Sequence, residues 1–151
     1  MAIVSISTEL QMSADTACRL AATPDVMMFV LAPVLSLSRE NVPPPGTVVE
    51  PGFSATSKVR WFGVIPSWTH TITLVERSAH ELYTTEHGGP LKVWNHRLTF
   101  EPITENSCRY TDQIEIEDGA AGWPTRLFIR LLFPHRHRRW KTVAAIATAS
   151  R

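Results

Sequence analysis

Val93–Glu117 reads VWNHRLTFEPITENSCRYTDQIEIE. Within it, Val93–Pro102 and Ser107–Glu117 alternate apolar and polar side chains and are joined by the turn-prone Thr104–Asn106. Successive side chains of a strand point to opposite faces. Trp94, His96, Leu98 and Phe100 therefore share one face of the first run, and Tyr110, Asp112, Ile114 and Ile116 share one face of the second. A connection this short makes the two runs an antiparallel hairpin with one apolar face, and that face needs a cover.

Upstream lie three further strand-like runs, Phe53–Phe62, Trp68–Val75 and His80–His87, separated by Gly63–Ser67 and followed by the turn Gly88-Gly89-Pro90. Together they predict an antiparallel meander. Ile3–Leu10 reads as a first strand. Ser13 is placed to cap a short helix carrying Ala17, Cys18, Leu20 and Ala21, and Pro24 to open a second one through Leu31. Asn41–Gly52 holds four prolines and two glycines and reads as a loop. Trp123–Ala149 repeats apolar residues three and four apart, which predicts a long C-terminal helix kinked or split at Pro134, with Trp140, Val143 and Ile146 facing inward. The expected fold is α+β, of the helix-grip type: a curved antiparallel sheet of six or seven strands wrapped around the last helix, with two short helices after strand one. Residues 1–151 are few enough to share one core.

The totals exclude several classes. With 44% hydrophobic and 19% charged residues, neither disorder nor a fibrous repeat is indicated. A net charge of +1 is too small to attract nucleic acid across the whole surface. The longest apolar stretch near the start, Val26–Leu35, contains Pro33 and is half the ~20 residues of a membrane span, so no integral membrane association is expected. Cys18 and Cys108 stand far apart with no secretory signal before them, which points to reduced thiols and the cytoplasm. The sequence is compatible with a homodimer.

Gly89-Pro90, Trp94-Asn95-His96 and Phe100 resemble the GP…W-x-H…F stretch of the START-like, or SRPBCC, superfamily, which includes hormone carriers, lipid-transfer domains and polyketide cyclases. Asp112 in Tyr110-Thr111-Asp112-Gln113-Ile114 is similar to an Asp of many members, and Phe133 with His135-Arg136-His137 resembles the signature of the last helix, in the manner of the polyketide cyclase-like branch. The resemblance implies the helix-grip fold. It names no substrate, because that fold hosts carriers, sensors and enzymes.

On the inner faces, Asp112 sits among apolar neighbours within diagonal reach of His96. Two readings stay open: the pair forms the polar end of an apolar pocket, or it is a satisfied buried pair. Trp68, His70, Ile72 and Leu74 form a second inward set and Leu82, Thr84 and Glu86 a third, so His70 and Glu86 either enter the pocket or sit at the sheet rim. The expected ligand-contacting set is Trp61, Trp68, His70, Leu82, Thr84 and Glu86, with Trp94, His96, Leu98, Phe100, Tyr110, Asp112 and Ile114 from the hairpin. No metal is expected: His70, His87, His96 and Asp112 lack close ligand spacing, and no cofactor motif is present. The run His135–Lys141 reads either as the solvated side of the last helix or as a patch for anionic partners. The function expected is binding or carriage of a hydrophobic small molecule, lipid, isoprenoid or aromatic. The alternative is a cyclase or dehydratase using His96, Asp112 or His70 as acid and base.

Overall fold

A computed structural model of the chain describes residues 2–89, 91–117 and 123–149. Pro90, expected in the turn before Trp94, lies outside the described residues. The elements follow in the order β1 (Ala2–Leu10), α1 (Ala14–Ala21), α2 (Pro24–Leu31), β2 (Leu35–Leu37), β3 (Ser54–Trp61), β4 (Ile65–Arg77), β5 (Glu81–Gly88), β6 (Leu91–Thr104), β7 (Ser107–Ile116) and α3 (Trp123–Ala149). The strands form one antiparallel sheet in the order β1-β7-β6-β5-β4-β3-β2, so the first strand returns beside the last and the others form a meander. The architecture is the helix-grip α+β fold, a sheet curled around α3.

Local chemistry explains the elements. The Ser13 side chain accepts the Thr16 amide at 3.2 Å and caps α1, while Pro24 occupies the first turn of α2, where its missing N–H costs nothing. The β3–β4 connection is tighter than the expected Gly63–Ser67 turn. Phe62 and Gly63 both take positive φ, of 50° and 73°, and Val64 donates to the Trp61 carbonyl, so β4 already begins at Ile65. Ile3, counted among the first strand's apolar residues, faces out and is exposed, while Val4 and Ile6 pack against the core.

Glycine is required at the end of β5. A Cβ on Gly88 would lie 2.1 Å from the Thr69 carbonyl oxygen, and one on Gly89 would lie 2.8 Å from the Trp68 ring. The pair therefore lets β4 close onto the turn and seats the Trp68 indole against bare backbone.

The helix α3 runs unbroken through Pro134, contrary to the expected split. Pro134 is on the exposed side, as is Arg130, whose carbonyl loses its partner, so water can replace the missing bond. The buried stripe of α3 is Ile129, Leu132, Phe133, Arg136, His137, Trp140, Val143 and Ala144. This corrects the reading of His135–Lys141 as the solvated side of the last helix with Trp140 alone turned inward. Arg136 and His137 are buried, His135 Nε2 donates to the Ala32 carbonyl, and the Arg139 guanidinium covers the Phe29 ring at 3.7 Å; Arg138 and Lys141 remain exposed. Ile146, expected inward beside Val143, is 57% exposed, because the inward stripe runs through Trp140, Val143, Ala144 and Ala147 and Ile146 falls beside it.

Register fixes the core at the closed end. Leu98 pairs with Asp112 and Phe100 with Tyr110, whose rings stack at 5.1 Å, and Trp140 of α3 packs on both rings. Burying an aromatic side chain of this kind contributes about 1.5–3 kcal/mol. No helix among the described residues is long and apolar enough to cross a membrane.

Candidate functional site

Between the concave sheet face, α2, the loop around Val42–Val49 and the first half of α3 lies a cavity of about 770 Å³. That size lies within the range of small-molecule sites, and the wall is mainly apolar, as such sites require. Nine of the expected residues border it: Trp61, Trp68, His70, Leu82, Thr84, Glu86, Trp94, His96 and Leu98. Phe100, Tyr110, Asp112 and Ile114 do not. They share the right strand face, but Trp140 and Phe133 fill the space in front of them, so these four stand behind the cavity wall.

The sequence reading missed the wall built by Met27, Met28 and Leu31 of α2, and by Phe128, Leu132 and Arg136 of α3. A signal existed for Arg136. It is four residues before Trp140 and three after Phe133, on the stripe that the apolar residues define.

Two Trp-x-His units, on β4 and β6, supply the polar part of the wall. Trp68 Nε1 donates to His70 Nδ1 at 3.2 Å, and His70 Nε2 stands 2.9 Å from Glu86 Oε2. A ring that accepts at Nδ1 carries its proton on Nε2, so this network assigns neutral His70 donating to the Glu86 carboxylate. Thr84 donates to the other oxygen of Glu86 at 2.8 Å. His70 and Glu86, with side chains 14% and 10% exposed, thus lie on the cavity wall.

On β6 the Trp94 indole donates to His96 Nε2, leaving Nδ1–H toward Asp112 Oδ1 at 3.5 Å, longer than an ordinary hydrogen bond. Asp112 is fully buried. Its Oδ2 accepts from the Tyr110 hydroxyl at 3.0 Å and lies 3.4 Å from Arg136 Nη2. His96 and Asp112 are therefore adjacent, with the histidine on the cavity and the carboxylate behind it, paired to an arginine that also reaches the cavity. His87, considered as a zinc ligand, is exposed.

Electrostatics separates the ionisable groups. Burial alone would push the Glu86 carboxyl up, but the charge that His96 and His70 carry when protonated and the hydrogen bonds from His70 and Thr84 outweigh it and hold the pKa at about 2. Burial lowers the pKa of His96, against the opposing pull of Glu86 and Asp112. The direction we take is an anionic Glu86 beside a neutral His96, in accord with the proton positions assigned from hydrogen bonding. Burial also raises the Tyr110 hydroxyl well above the usual phenol range, helped by the Asp112 charge.

Comparison with solved structures places this geometry in a known fold. A protein from Nitrosomonas europaea is similar with a TM-score of 0.74 at 13% identity, over 97% of this chain and 96% of that one. A protein from Chromobacterium violaceum gives 0.72 at 11% identity, over 95% and 97%. A START superfamily protein from Mycobacterium smegmatis gives 0.65 at 13% identity, over 96% and 98%. At such identities the likeness speaks for the fold alone. No curated protein matches the chain in sequence. A family model described as a domain of unknown function, DUF8410, matches residues 8–143, and the chain belongs to that family.

Proposed function

We propose that the protein binds and encloses an apolar small molecule, as a carrier or sensor, without transforming it. The observation that carries the reading is the apolar cavity of about 770 Å³ whose two histidines have their acceptor nitrogens occupied by indole N–H groups. A general base needs a free lone pair within reach of the substrate proton. His70 and His96 both spend theirs on tryptophan, which weighs against the cyclase or dehydratase alternative. Asp112, the third group of that alternative, is behind the wall and paired with Arg136. The apolar wall supports a lipid, isoprenoid or aromatic as the ligand class.

Filling the space tests this. Ala55 borders the cavity from the start of β3, where a larger side chain projects into the void rather than into packed core. Ala55→Phe should weaken uptake of a neutral apolar probe such as decanol by roughly tenfold or more, equivalent to about 1.4 kcal/mol, with an unchanged circular dichroism spectrum. Calorimetric titration reads the result. Unaltered affinity in a folded variant would place the probe outside the cavity and reject the reading.

A further inference from the structure

Cavity charge does not balance. Among the described residues, the carboxylate and guanidinium side chains bordering it are Glu86 and Arg136, and Arg136 already faces its own counter-ion, the buried Asp112, at 3.4 Å. Glu86 has only neutral donors: Thr84 and the Nε2–H of a histidine whose Nδ1 accepts an indole proton. A carboxylate accepts about four hydrogen bonds, and Glu86 has two from the protein. It is a buried anion with spare acceptor capacity and, among the described residues of the wall, no lysine or arginine of its own.

The rings around it have a matching chemistry. Trp68 meets Trp61 edge-on at 6.0 Å, Trp61 meets Phe128 at 5.7 Å, and Phe128 meets Trp94 at 6.1 Å. All four border the cavity. The chain of rings closes on Glu86 at both ends, since Trp94 is its direct cross-strand partner and Trp68 is tied to the His70 that donates to it. Aromatic faces carry negative potential and attract organic cations within about 6 Å, most strongly where water is excluded. A partial box of three indoles and a phenyl ring, with an ionised carboxylate of spare acceptor capacity at its seam, is suited to an ammonium group.

We propose that the ligand is an organic cation: an apolar body carrying a protonated or quaternary amine, seated between the four rings and neutralising Glu86. This rests on the cavity reading above and names its ligand class. It also predicts rejection of fatty carboxylates, whose charge would meet Glu86 while the nearby guanidinium is held by Asp112.

Four ten-carbon probes, decylammonium, decyltrimethylammonium, decanol and decanoate, titrated below their micellar concentrations, test the charge preference on the wild-type protein. Both cations should bind at least about tenfold more tightly than decanol, and decanoate more weakly than decanol. In Glu86→Gln, checked for folding by circular dichroism, the ratio of cation to decanol affinity should shrink to within about threefold. Equal affinities for cation and alcohol, tighter binding of decanoate, or a cation advantage that survives Glu86→Gln would each overturn the assignment while leaving the cavity reading standing. Failure of all four probes to bind would reject both. A preference for decylammonium with decyltrimethylammonium no better than decanol would show hydrogen-bond donation to Glu86 in place of cation recognition by the rings, and would overturn the proposal.

Discussion

Arg136→Met is expected to destabilise the protein by about 3–5 kcal/mol, because it leaves the fully buried Asp112 without its cation. Among the described residues the carboxylate would keep only the Tyr110 hydroxyl within a hydrogen bond, which leaves a buried charge without its counter-ion. Such a loss is a large fraction of the stability of a domain of this size. The double variant Arg136→Met/Asp112→Leu should recover most of it, since replacing both members of a buried pair with apolar groups of similar volume is often neutral. Urea unfolding at pH 7 measures both. A single-variant loss below about 1 kcal/mol would mean that Asp112 does not depend on Arg136.

Acid should act on the other polar cluster. His96 and His137 have pKa values lowered by burial, so below about 6.5 the unfolded chain binds protons that the folded chain refuses. Stability then falls as pH falls. Glu86 adds a second phase: its folded pKa of about 2 is below the ordinary 4.5, so its contribution is complete above 4.5 and is lost as pH drops toward 2. That contribution is on the order of 3 kcal/mol. Urea midpoints at pH 7, 5 and 3 should decline throughout, and the difference between wild type and Glu86→Gln should narrow between pH 5 and 3. A difference that holds constant over that interval would contradict the depressed pKa.

The sheet was legible because burial of one face imposes a period of two. In Trp94–Phe100 and Tyr110–Ile116 no residue breaks the alternation, and the observed register places Asp112 opposite Leu98, as a short hairpin demands. Less was legible where two elements meet. The bond between His70 and Glu86 depends on the register of β4 against β5, which shifts between Leu74 and Glu76, and strand alternation carries no mark of such a bulge. Arg136 was obscured by its neighbours. A run as basic as His135–Lys141 has the composition of a wetted face, and only the phase set by Phe133 and Trp140 shows that one arginine in it turns inward. The α2 side of the wall is apolar all round, so sequence marks it as buried without saying that it faces a void.

The placement of the indoles also gives the molecule an optical character. Of its five tryptophans, Trp61, Trp68, Trp94 and Trp140 border the cavity, while Trp123 is 76% exposed at the start of α3. Intrinsic emission is therefore a sum of one water-facing fluorophore and four that share the walls of a single chamber. Trp123→Phe would leave a protein whose remaining signal comes from those walls alone. Any occupant would then announce its arrival as a change in colour or intensity, with no label attached.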